Sequence, residues 1–214
     1  MEEYFRELSD TLCAGLAAGE VLLLNYRGES SDFVRLNHNR IRQAGHVRQQ
    51  ALELDLVRDS RVSGASMMLC GSRDIDLAGA RVLLEQLRAR LPLLPEDPHL
   101  NYASEVHGSY SRGENRLPEP GVAVETLLAA ARGLDLVGIW ASGEQSRGFA
   151  NSLGQFNWHS THSFNLDWSL YREGDKAVKQ NYAGLVWSDD FLDRKFDYDR
   201  ETLELLGQKP RTLT

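Results

Sequence analysis

The feature that most constrains this chain is a proline-free stretch over residues 134–187, LDLVGIWASGEQSRGFANSLGQFNWHSTHSFNLDWSLYREGDKAVKQNYAGLVW. β-Branched and aromatic residues recur along it, broken by short Gly, Ser, Asn and Asp clusters. Its clearest piece is FNLDWSL, where Phe164, Leu166, Trp168 and Leu170 alternate with Asn165, Asp167 and Ser169. A period of two places the large side chains on one face of a strand and the polar ones on the other. Arg147-Gly148, the 151–154 segment and Glu173-Gly174-Asp175 are turn signals at hairpin spacing. The stretch predicts an antiparallel meander of four or five strands with one face against helices. It contains no obvious catalytic centre.

The same two-residue period governs the first half. Residues 3–18 place Phe5, Leu8, Leu12 and Leu16 on one helical face, with Gly19 as a stop. Residues 21–26 form a short apolar strand, and 33–42 read as strand, turn, strand with Asn37-His38-Asn39 in the turn. Leu52, Leu54 and Leu56 alternate with Glu53 and Asp55, Asp59-Ser60 turns the chain, and 62–70 returns it. Ser72 or Asp74 can cap a helix over 75–91, which Pro92 ends. Five of the six prolines lie between Pro92 and Pro120, which marks a connection. The expected organisation is an α+β unit over 1–91, a connection over 92–120 and a second α+β unit over 121–214. Within the second unit a helix over 122–132 precedes the meander, and an acidic, aromatic segment, 188–200, leads to a short helix over 201–206. Each unit opens with a helix ending at glycine (Gly19, Gly133) and runs into an apolar strand, and Asp55 and Asp167 hold matching places. An internal duplication produces such a pattern, and so do two independent meanders.

Charge and composition exclude some classes. The 214 residues have a formal net charge of −7, against the positive excess that a nucleic-acid surface needs. The N-terminus is acidic and the longest early apolar run is 21–24, so neither a signal peptide nor a membrane span is expected, and the expected location is the cytoplasm. Cys13 and Cys70 read as buried thiols of a reducing compartment, not as a disulfide framework.

The segments together resemble the TldD/PmbA family, the proposed modulators of DNA gyrase that act as metallopeptidases. The first carrier is RLNHNRIRQAG from Arg35 to Gly45, followed by LELDLVR from Leu52 and RVSGAS from Arg61. In the second half RGFANSLG, from Arg147, resembles the family's N-S-x-G turn, and GQKPRTLT from Gly207 is similar to the junction where its C-terminal domain begins. The resemblance covers about residues 20–214 and rests on the order of these segments. It implies an N-terminal portion that is non-catalytic by itself. Such a portion would help wall the enclosure for unfolded or flexible peptides and form a homo- or heterodimer with a family member. It also implies zinc for full-length catalytic members, held by H-E-x-x-x-H and a later cysteine. None of the six histidines here precedes a glutamate, so no zinc and no catalytic residue is expected in this chain, which reads as truncated or naturally short. Asn39 stands where the family often has glycine.

The remaining constellations are weak. His159 and His162, three apart on a strand, point to opposite faces and cannot easily share an ion. Asp189, Asp190, Asp193, Asp197 and Asp199 lack loop-site spacing and read as a solvated acidic linker. Arg35, Arg40, Arg42 and Arg48 form a basic hairpin without interleaved aromatics. It supports an alternative reading, a non-catalytic module whose hairpin grips an acidic partner or nucleic acid. A hydrolase built on His159 is a third and poorer one. The residues expected to touch a substrate or partner are Arg35, Arg40, Arg42, Asn151, His159 and His162.

Overall fold

The computed structural model describes residues 1–172 and 176–208. The turn signal at 173–175 and the end of the junction-like tail, 209–214, lie outside the described residues. The elements run α1 (Glu2–Cys13), β1 (Val21–Asn37), β2 (Arg40–Arg58), β3 (Arg61–Met68), α2 (Arg73–Arg90), a 3-10 turn (Leu91–Leu93) and β4 (Ser109–Arg112). They continue with α3 (Pro120–Ala130), β5 (Asp135–Asn151), β6 (Phe156–Tyr171), β7 (Ala177–Gly184) and α4 (Asp189–Leu206). This is the expected α+β class, and the order helix, three strands, helix occurs twice. The strands follow the order β3-β2-β1-β5-β6-β4, and β7 also pairs with β6. The β2–β3 and β6–β7 pairs are antiparallel; the short β4 runs parallel to β6.

The chain divides into two compact units, neither of which is one continuous segment. Unit 1 comprises 1–29, 48–113 and 145–161; unit 2 comprises 30–47, 114–144 and 162–214. The tip of the β1–β2 hairpin thus belongs to unit 2, and the tip of the β5–β6 hairpin belongs to unit 1. Each of these four long strands begins in one unit and ends in the other.

Alternation builds each core. In unit 1, Leu22, Leu24 and Tyr26 of β1 and Leu52, Leu54 and Leu56 of β2 are buried with Phe5, Leu8 and Leu12 of α1 and Leu77, Ala80, Leu84 and Leu87 of α2. Phe5 lies 5.4 Å from Tyr26 and 6.4 Å from Trp158 between ring centroids. In unit 2, Phe164, Leu166, Trp168 and Leu170 of β6 share a core with Leu127 of α3 and Leu192, Phe196 and Leu203 of α4. Trp168 stacks on Phe196 at 5.2 Å. Burying each such side chain stabilises the fold by about 1.5–3 kcal/mol. Glu53 and Asp55 are half-buried, whereas Asn165 and Asp167, on the other face from the core residues of β6, are exposed.

Several sequence expectations are corrected. Arg147-Gly148 is no turn but the interior of β5: a Cβ at Gly148 would lie 2.6 Å from the Phe5 ring, so glycine there admits the aromatic side chain. The second half of the sheet therefore has three consecutive strands, β5 to β7, instead of four or five. For the same reason 21–26 is only the start of β1. Helix α1 stops at Cys13, because the chain turns at 14–20, where Gly19 has φ 81° and the Glu20 carboxylate accepts from the Ala17 N–H. The acidic 188–200 segment is no linker. It is most of α4, capped by the Ser188 hydroxyl, which accepts from the Phe191 N–H, and its inward residues Leu192, Phe196, Asp199 and Leu203 recur at helical spacing. Cys70 is exposed and Cys13 half-buried, and both are free.

Candidate functional site

Within each unit the helices and core occupy one face of its strands, so functional groups are sought on the other. The two tight turns of the first half set the strand register. His38 and Asn39 have φ of 50° and 51°, and Asp59 and Ser60 have 52° and 58°. Two successive residues at positive φ make the mirror-image turn that matches strand twist. Asn39 does more than tolerate it: its side-chain amide donates to the carbonyls of Leu128 and Ala131 at 3.3 and 3.2 Å, serving the end of α3. That gives a physical reason for Asn where the resemblance expects glycine.

The expected contact residues do not form one site. In unit 2, Arg35 and Arg42 line a shallow depression of about 570 Å³ with Asp167 and Lys179. Arg35, Arg40 and Arg42 are all exposed, and Arg40 is not part of that lining. Acidic groups border the hairpin: Asp135 lies 2.7 Å from His38 Nδ1 and Asp32 lies 3.0 Å from His46 Nδ1. Asn151 is buried at the β5–β6 turn. Its Oδ1 accepts from the N–H groups of Leu153 and Gln155, both at 3.0 Å, and its amide donates to the Ala103 carbonyl. His159 falls in unit 1 and His162 in unit 2. No group of three or more His, Cys, Asp or Glu among the described residues could hold a metal ion, so the residues present do not fit the zinc of full-length family members.

A second depression, of about 500 Å³, lies in unit 1 and holds His159. Its lining also includes Arg27, Arg147, Asn25, Asn157 and Ser109, with no carboxylate. Leu24, Tyr26, Gly148 and Trp158 point into the core, so alternation turns Asn25, Arg27, Arg147 and His159 outward. The nearest carboxylate to Arg27 is Glu53 at 3.8 Å, an exposed pair of little energetic weight. Asn157 is engaged, donating to the His107 carbonyl and to Ser109 Oγ. On β2, burial, and secondarily the charge of Glu53, push the Asp55 carboxyl above the usual carboxylate range. The sequence reading missed Arg27 and Arg147, although both stand in an Arg-Gly pair inside an alternating run. Reading Arg147-Gly148 as a turn hid the one, and ending the first strand at residue 26 hid the other.

No family profile and no curated protein matches the sequence. Solved structures do match in fold. A proposed modulator of a DNA gyrase from Thermotoga maritima superposes over 98% of this chain and 49% of its own, at a TM-score of 0.64 and 10% identity. TldE from Thermococcus kodakarensis superposes over 94% of this chain and 47% of its own, at 0.60 and 14% identity. A proposed modulator of DNA gyrase from Bacteroides thetaiotaomicron gives 98% and 51%, at 0.60 and 14% identity. The chain therefore has a TldD/TldE-like fold and spans about half the length of the structures it matches.

Proposed function

We infer that this chain serves as the N-terminal portion of a TldD/PmbA-type zinc metallopeptidase, non-catalytic by itself. In that role it supplies a sheet wall to an enclosure for unfolded or flexible peptides and a surface for dimerisation. The observation that carries this reading is the superposition over nearly the whole chain onto about half of each matched structure. An exposed strand edge, such as that of β3 at the end of the strand order, suits an extended peptide, which is commonly held by main-chain pairing and side-chain pockets. Self-association has support from α4, which leaves Phe191, Tyr198 and Leu205 exposed at intervals of seven residues.

Zinc analysis, a casein digestion and sedimentation at micromolar concentration test the reading on tag-free protein. The expected result is no stoichiometric zinc, no cleavage and a dimer or larger species. Metal-dependent cleavage by clean protein would overturn the non-catalytic part, and a strict monomer would remove the dimer surface. A second reading has its own observation: Arg35, Arg40 and Arg42 are exposed on one hairpin and Lys179 joins two of them at the unit 2 depression. A module that grips an acidic partner through this hairpin would retain an acidic peptide on the wild-type chain and lose it in Arg35→Gln/Arg42→Gln. Equal retention by both would dismiss this reading.

A further inference from the structure

The unit 1 depression contains an unusual juxtaposition. Leu22 and Ser152 face each other on β1 and β5: the Ser152 N–H donates to the Leu22 carbonyl at 3.0 Å, and the Leu22 N–H donates to Ser152 Oγ at 3.1 Å. Further along the same strands, a Cβ at Gly143 would lie 2.5 Å from the Ser31 Cα, so Ser31 and Gly143 are opposed as well. Both anchors give one antiparallel register, and that register sets Arg27 opposite Arg147. On the other side of β5, the Asn151 N–H donates to the Gln155 carbonyl, and Trp158 lies against Gly148, which sets His159 opposite Arg147. His159 in turn faces Ser111 of β4. Directly opposed residues of an antiparallel pair have Cβ atoms about 4.5–5.5 Å apart, and like charges so placed are destabilising.

The side chains of Arg147 and His159 have no hydrogen-bond or ion-pair partner among the described residues, and neither has that of Asn25 beside them. The Glu53 carboxylate reaches Arg27 only at 3.8 Å, and the lining of the depression itself holds donors from three adjacent strands and no carboxylate. Paired guanidinium forks with a flanking imidazole and amide are an arrangement that recognises a planar or tetrahedral oxyanion, through charge-assisted hydrogen bonds.

We propose that the row Arg27, Arg147 and His159, with Asn25, is a binding site for a small oxyanion, a carboxylate or a phosphate group. The two arginines hold the anion between them, and the anion relieves their mutual repulsion. The site is independent of the peptidase reading above.

The test is calorimetric titration of the chain with inorganic phosphate and, separately, with succinate, in a low-salt buffer free of both. Binding of either is expected, and which one binds identifies the ligand class. Arg147→Gln and Arg27→Gln should each weaken binding by about tenfold or more, while Arg81→Gln, on the exposed face of α2, should leave it unchanged. A second readout is melting temperature: the bound anion should raise that of the wild type beyond the effect of sodium chloride at equal ionic strength, and should not do so in Arg147→Gln. Failure of both anions to bind would overturn the site. So would binding that survives Arg147→Gln, or that is lost equally in Arg81→Gln.

Discussion

Two buried carboxylates are shifted in opposite directions, although burial pushes both upward. Glu20 has a fully buried side chain, and burial alone would raise its pKa. Hydrogen bonds from the Arg88 guanidinium at 2.8–3.0 Å and from the Ala17 N–H at 2.9 Å outweigh that and hold it below the usual range. Its stabilisation is present above the unfolded glutamate value of about 4.3 and is lost as pH falls through the folded value. Asp199 is fully buried on α4, and burial raises its pKa despite the Trp168 indole N–H donating to its Oδ2 at 2.8 Å. Here the sign reverses: stability is greatest below the unfolded aspartate value of about 3.9 and declines as pH rises through the folded one. Asp199→Asn should remove that decline and be more stable than wild type at neutral pH. Asp199→Ala, which leaves the buried indole N–H without an acceptor, should cost about 1–3 kcal/mol. Arg88→Ala, which leaves the buried Glu20 carboxylate with the Ala17 N–H and the more distant Arg58 guanidinium at 3.9 Å, should cost about 3–5 kcal/mol. Urea titrations at pH 3.5, 5 and 7 read all three.

At the scale of elements, what the sequence makes legible depends on whether one physical cause dominates. The alternating leucines from Leu52 to Leu56 and the Phe164–Leu170 run have one cause, burial on a single face, and the structure buries the residues so assigned. The Asn37–Asn39 turn is legible because few residues accept positive φ. Gly148 has the same identity and a different cause, contact with Phe5 from a distant helix, and no local pattern exposes that. Helix α4 was hidden by charge: its outward aspartates dominate the composition while its inward residues are few. The site suffered likewise, since the basic hairpin is a local cluster in sequence, whereas Arg27, Arg147 and His159 meet only through pairing of separate strands. Two substitutions check these assignments. Leu54→Ala should cost about 2–5 kcal/mol as a core truncation. Gly148→Ala should cost about 1–3 kcal/mol by overpacking against Phe5, and Phe5→Leu should restore part of it.

At the scale of the whole molecule, the dominant feature is the exchange of hairpin tips. Unit 1 takes residues 145–161 from the second half of the chain, and unit 2 takes 30–47 from the first. A break in the 92–120 connection therefore gives two fragments, each lacking part of both cores. Neither fragment should fold alone, and mixing them from denaturant should restore one cooperative transition. Independent two-state folding of residues 1–113 would contradict the exchange.

The exchange also shapes how the chain leaves the ribosome. Proteins of several bodies ordinarily complete the N-terminal one while the rest is being made. Here unit 1 cannot close until Thr161 has emerged, and at about 5–20 residues per second its leucine-rich strands wait for seconds without their last partners. Synthesis of this protein thus keeps an unfinished apolar surface in view of nascent-chain chaperones until residue 161 has been added.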